Sequence, residues 1–250
     1  MKLLLIRHGE SVGNREARMA GHTADPLTAT GHHQVSQLAQ WLRQQNWCPT
    51  AIYSSPLRRA VETVAGLVTP WGWDAANVLA AMIDPAISPA SLTLTAPSTR
   101  HVAVHFSPAL MEFQAGIFTG LTWAEAQAHY PTLCHRLETE PDWLPIPHAE
   151  TPQQGRDRAQ QLIHDLLHRH EPDDALWIIS HHWILEHLIA ALMGCDRTWQ
   201  LSIPNTALFE FSLDLTRWHQ ATMTRWTSDL WQVRRFGTCP HLSPMNPPVP

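Results

Sequence analysis

The chain has 250 residues, enough for one sizeable α/β domain to bury its own core, and 44% of them are hydrophobic, which excludes general disorder. The formal net charge is -5 and no basic stripe runs through the sequence, so neither nucleic acid nor an anionic membrane is an expected partner. No run approaches the roughly 20 apolar residues of a membrane span, the apolar opening Met1 to Ile6 breaks off at Arg7 too soon for a signal peptide, and Cys48, Cys134, Cys195 and Cys239 lie scattered, without metal-type or disulfide-framework spacing; a cytoplasmic protein is the expectation.

Lys2 to Ile6 predicts a short buried strand. Thr28 suits the cap of a helix running to about Trp47, with Val35, Leu38, Ala39 and Leu42 on one face. Ala51 to Ser54 predicts a second strand, and Pro56 suits the first turn of a helix ending near Val68. Pro70 to Arg100 is rich in Pro, Ser, Thr and Ala and reads as an irregular insertion with a short helix at about 75–82. His101 to Phe106 alternates like a strand, Thr122 to His129 reads as a short helix, and Thr151 to His170 as a longer one. Ala175 to Ser180 is a strongly apolar strand leading into a helix from His182 to about Met193. Thr206 to Leu213 and His219 to Trp226 predict two closing strands, and Cys239 to Pro250 is Pro-rich and expected to be extended or disordered. Strands alternating with helices predict a three-layer α/β sandwich, a mostly parallel central sheet with helices on both faces. The expected organisation is a single domain over 1–237, with an insertion at about 70–100 and a tail over 238–250.

Three strand-to-helix junctions carry chemistry. Arg7-His8-Gly9-Glu10-Ser11 follows the first strand, Ser54-Ser55-Pro56-Leu57-Arg58-Arg59-Ala60 follows the second, and Ser180-His181-His182 follows the strand at 175–180. Ligands of open α/β sheets sit beyond the carboxyl ends of the strands, and anions are favoured at helix N-termini. If these strands are neighbours, Arg and His side chains converge on one anion pocket.

In combination these residues resemble the histidine phosphatase superfamily, the phosphoglycerate-mutase-like group. The resemblance rests on Arg7-His8-Gly9-Glu10-Ser11 with Asn14, on Gly21 to Thr28 with Gly31, on Tyr53 to Ala60 with Thr63, on Glu112 with Gly116 and Gly120, and on Ser180-His181. It implies that His8 is the nucleophile that becomes phosphorylated, that Arg7, Arg59 and His181 hold the phosphoryl oxygens, that Glu112 is the proton donor and later the base, and that Asn14 contacts phosphate or substrate. The family pattern puts the pocket arginine immediately before Ala60, hence Arg59; Arg58 is expected to be a surface charge. His22 stands where the family lines the substrate mouth, although a packed loop histidine is an equal reading. Glu150 stands in a family segment that often reads Gly-Glu-Ser and is a candidate support for the site.

The chemistry fits these residue types. A neutral imidazole is a good nucleophile near neutral pH, and its other nitrogen needs an acceptor, expected to be a backbone carbonyl. Phosphoryl transfer needs positioning and a positive field, which arginine supplies through its two-pronged fork; no cofactor and no metal is expected. His164 and His168 lie four apart on a predicted helix but without the glutamate of the protease motif. His32-His33 and His101 with His105 are no better.

Two departures stand out. Many relatives have glycine after the last catalytic histidine, where this chain has His182 and Trp183, which either narrow the pocket or turn outward. The insertion at about 70–100 either caps the mouth or decorates the surface. The resemblance leaves a phosphatase acting on a small phosphorylated metabolite, of the sugar or sugar-acid phosphate class, as the leading expectation. A phosphoglycerate-type mutase is the alternative, disfavoured by Val12-Gly13 before Asn14 and by the short interval from Glu112 to His181. A noncatalytic binder on the same fold comes third. Ribazole and carboxyarabinitol phosphatases belong to the superfamily, yet no residue selects either, and the oligomeric state is not legible.

Overall fold

A computed structural model describes residues 1–80, 91–95, 101–218 and 230–242. Its centre is a seven-stranded sheet in the order β3-β4-β2-β5-β1-β6-β7. The strands are β1 (Lys2–Arg7), β2 (Ala51–Ser54), β3 (Ser91–Thr95), β4 (His101–Phe106), β5 (Ala175–Ser180), β6 (Leu208–Leu213) and β7 (Trp231–Thr238). The central strands β4, β2, β5 and β1 are parallel, whereas β3, β6 and β7 are each antiparallel to their inner neighbour.

Strands β1 and β5 are near-continuous apolar runs because both faces are covered. Along β1, Leu3 and Leu5 join one core while Leu4 and Ile6 join the other. Strand β5 divides likewise, Leu176 and Ile178 against Trp177 and Ile179. The first core is closed by α7 (Pro152–Arg169) and α8 (His182–Leu192), the second by α2 (Ala29–Gln44) and α3 (Arg58–Val68). Short helices α1 (Val12–Arg15), α4 (Ala75–Ala80) and α9 (Leu215–Trp218) complete the frame. Threonine caps start three helices where the sequence predicts them: Thr28 accepts from the Gly31 amide, Thr122 from Glu125 and Thr151 from Gln154.

Outside these layers, α5 (Trp123–His129) and α6 (Pro131–Thr139) form a small unit with its own core around Phe118, Ala126 and Cys134. Gly116 joins it to the chain at φ 60°, and a side chain there would meet the Pro147 carbonyl at 2.1 Å, which only glycine avoids.

Several expectations need correction. The 70–100 segment is more regular than its composition suggests: Ser91–Thr95 pairs antiparallel with β4, Trp73 is buried, and Trp71 packs edge-on against Trp177 at 5.2 Å. Helix α3 begins at Arg58, so Pro56 precedes it rather than lying in its first turn. Helix α6 was not expected. The strand expected at 219–226 lies outside the described residues, and the strand that pairs with β6 is Trp231–Thr238. Thr238 thus belongs to the sheet, and beyond it His241 is buried, its Nε2 2.8 Å from the Thr206 hydroxyl; 243–250, the remainder of the expected tail, lies outside the described residues.

Candidate active site

The neighbouring order β2-β5-β1 brings the three strand-to-helix junctions side by side. Arg7 ends β1, Arg59 opens α3, and His181 caps α8. Arg7, His8, Asn14, Arg59 and Glu112 line one cavity of about 530 Å³.

His8 is 2% exposed, and its Nδ1 lies 2.7 Å from its neighbour's carbonyl, Gly9 O. A carbonyl only accepts, so Nδ1 carries the proton and Nε2 keeps its lone pair. Burial, then the positive fields of Arg59 and Arg7, push its pKa well below the ordinary imidazole value, against the pull of the Gly9 bond. The ring is a neutral base at physiological pH. Gly9 itself answers to packing: a side chain there would meet the Gly31 carbonyl and Val35 at 2.9 Å, so glycine lets the loop lie against the start of α2. Thr63 ties the same loop to α3, accepting from the Gly9 amide at 3.1 Å and donating to Arg59 O at 2.7 Å.

Of the adjacent pair, Arg59 is buried and Arg58 is exposed, its Nε donating to Glu62 at 2.7 Å. Arg59 donates through its terminal nitrogens to Thr23 O and Gly21 O at 3.1 and 2.8 Å, and through Nε to His181 Nδ1 at 3.2 Å. Arg7 donates to Ile203 O at 2.6 Å. Desolvation lowers both guanidinium pKa values while the charge of Glu112 opposes it; both remain cations.

His181 is fully buried with its ring 4.9 Å from that of His8. Since Nδ1 accepts from Arg59, Nε2 carries the proton and donates to Ser55 Oγ at 2.8 Å. Both ring nitrogens thus meet protein groups, and the geometry makes His181 a brace for Arg59. Asn14 accepts at Oδ1 from the Ser11 amide at 3.2 Å and from Asn205 Nδ2 at 3.0 Å. His22 is exposed, and its Nε2 lies 2.8 Å from the Glu112 carbonyl; it anchors that segment and is not part of the cavity wall.

The Glu112 carboxylate lies at the start of α8, where it accepts from the Trp183 and Ile184 amides, each at 3.4 Å, and from Phe113 N at 2.9 Å. His181 makes no side-chain cap there, so Glu112 supplies one from across the site. His182 and Trp183 both line the cavity. Trp183 packs on Phe113 at 4.5 Å and on His187 at 4.2 Å, and a side chain on Gly155 of α7 would come within 2.3 Å of its ring. The described residues of the 70–100 segment do not reach the cavity; its outer wall is supplied by residues of 18–21 and 113–146 with His182 and Trp183.

Among the described residues no group of three or more His, Cys, Asp or Glu gathers at metal-binding distance.

The family model for the histidine phosphatase superfamily (branch 1) matches residues 3–82 and 90–225. The chain belongs to the histidine phosphatase superfamily. Solved structures share its fold at low identity. YhfR of Bacillus stearothermophilus is 21% identical with a TM-score of 0.69, covering 97% of this chain and 99% of that one. A phosphoserine phosphatase from Entamoeba histolytica is 21% identical with a TM-score of 0.66, covering 97% and 99%. A mycobacterial glucosyl-3-phosphoglycerate phosphatase is 22% identical with a TM-score of 0.62, covering 94% and 98%.

Three residues of this superfamily member were given no role by the sequence reading. Ser55 Oγ accepts the hydrogen bond from His181 Nε2. Asn205, in the loop before β6, donates to both His8 O and Asn14 Oδ1 at 3.0 Å. Arg158, on α7, pairs with both Glu150 oxygens at 2.6 and 2.8 Å and donates to the carbonyls of Ala109 and Met111 at 2.7 and 2.8 Å. It clamps the segment that ends in Glu112. Glu150 carried a signal through its place in the family segment, and Ser55 stood in the second junction motif without an assigned role.

Proposed function

We propose that this histidine phosphatase hydrolyses a small phosphomonoester in two steps through a phosphohistidine on His8. The observation that carries the reading is a neutral histidine with a fixed tautomer, in one cavity with two guanidiniums and a carboxyl group.

In the first step the Nε2 lone pair attacks phosphorus and the bond to the alcohol oxygen breaks. That oxygen takes the electron pair and a proton from the Glu112 carboxyl. In the second step water attacks the phosphoryl group, gives a proton to the Glu112 carboxylate, and the N–P electron pair returns to Nε2. Arg7 and Arg59 stabilise the charge on the phosphoryl oxygens throughout. Dividing hydrolysis in two lowers each barrier. The Asn14 amide is a further contact for phosphate, and His181 acts through Arg59. This scheme needs no metal ion.

The anion-holding groups select the phosphate and leave the alcohol open, so the sugar and sugar-acid class expected from the sequence rests on the rest of the wall. The test is phosphate release from a panel of phosphorylated metabolites in chelator, with 3-phosphoglycerate isomerisation followed alongside. Metal-independent release from one or a few of them is the expected result. Rapid isomerisation with little free phosphate would make the chain a mutase.

A further inference from the structure

Resting on the phosphatase reading above, we propose that the outer half of the cavity selects phosphomonoesters of an apolar alcohol, aromatic or branched, over phosphates of polyols. The wall facing away from the strand ends is built of carbon. Phe118 is 2% exposed and meets Trp123 edge-on at 6.0 Å. The Trp123 indole N–H donates to Glu138 at 2.8 Å, which leaves its ring carbons for the cavity it lines. Phe113 and Trp183 pack together, and Leu137 and Ile146 fill in from the α5–α6 unit.

Much of the polar capacity on this side is already engaged, Arg18 through Nε and Nη1 and His182 beside a carboxylate. Arg18 donates to Glu16, Glu125 and the Gly120 carbonyl, at 2.9, 2.8 and 2.9 Å. His182 lies 3.5 Å from Glu186. A polyol entering the cavity gives up water at each hydroxyl and finds few replacement partners, which weakens its binding. An aromatic or alkyl group loses no hydrogen bond and removes both its own surface and the wall's from water. The second residue after the last site histidine contributes directly: Trp183 adds its indole to the wall.

The test measures calorimetric dissociation constants for two non-hydrolysable phosphonates, 2-phenylethylphosphonate and 3,4-dihydroxybutylphosphonate, on the full-length wild-type chain. An apolar pocket discriminates against added hydroxyls by about ten- to a hundredfold, so the aromatic ligand is expected to bind tighter by at least about tenfold, with the more negative heat-capacity change of apolar burial. Trp123→Ala should reduce that preference to about threefold or less, and Trp123→Leu should keep part of it. Equal affinities in the wild type, or tighter polyol binding, would overturn the inference.

Phosphate release from benzyl phosphate and glycerol 3-phosphate, both alkyl esters, is read in parallel. Release with equal kcat/KM sinks the substrate class and leaves the phosphatase reading standing. A phosphonate preference without release from any ester sustains the class and sinks the phosphatase reading.

Discussion

His8 is buried between two cations, a setting that discourages a second proton on its ring. Nucleophilicity requires Nε2 to be unprotonated, so activity is lost only when pH falls through the lowered pKa. The acid limb of kcat/KM should therefore lie clearly below pH 6.5, the ordinary imidazole value, as measured with a substrate already dianionic above its own second pKa. An acid limb at or above that value would mean that the arginine field does not govern His8. Glu112 is argued to protonate the leaving oxygen, a role worth about 10²–10⁴-fold. Glu112→Gln should lose activity in that range on an alkyl phosphate and much less on p-nitrophenyl phosphate, whose leaving group needs little help; equal losses would remove the acid role. At this scale the motifs made Arg59 and His8 legible. The engagement of both His181 nitrogens was not, because it depends on Ser55 and Arg59, from a single junction far from His181 in sequence, meeting the ring at both nitrogens.

At the scale of elements, α7 positions the acid. Arg158 links this helix to the carbonyls of Ala109 and Met111 and, through both oxygens of Glu150, to the loop that pairs with the cavity's edge. Arg158→Ala leaves three carbonyl and carboxylate partners without donors and frees the Glu112 segment. A misplacement of about 1 Å costs around a hundredfold, so kcat on an alkyl phosphate should fall by about ten- to a hundredfold, with a smaller loss on p-nitrophenyl phosphate. A uniform loss on both substrates would show a purely structural role. An arginine on an amphipathic helix reads as a solvated face, which is why its part was invisible in the sequence. The helix start at Thr28 was legible from its cap, and those at Thr122 and Thr151 from their segments. Strand β3 was hidden in a Pro-rich stretch. Strand β7 lies at the sheet edge, where one-sided burial and two arginines blur the alternation that marks an inner strand.

Taken as a whole, the fold buries several histidines in their neutral form. Burial lowers His187 and His241 to about 4, and His8 and His181 are lowered well below 6.5. Below pH 6.5 the unfolded chain takes up protons that the folded chain refuses, so each contribution is intact above that value and is lost as pH falls towards the folded pKa. The Tm should fall steadily from pH 7 to about pH 4, the window set by these values. His187→Phe, which keeps a ring against Trp183, should flatten the profile; a wild-type Tm independent of pH across this window would contradict the burial argument. The layered sheet was legible because β1 and β5 are near-continuous apolar runs between helices, whereas the α5–α6 unit that roofs the cavity was only half seen, its second helix concealed behind Pro131.

The central claim is a phosphoryl group carried by His8. It is tested most directly by rapid mixing with p-nitrophenyl phosphate, an alkaline quench that preserves phosphohistidine, and mass-spectrometric location of the label. The account predicts a burst of p-nitrophenolate approaching one per chain, matched by one phosphoryl group on His8 that decays as phosphate appears. Continued phosphate release with no burst and no label on His8, or with the label on another residue, would contradict it.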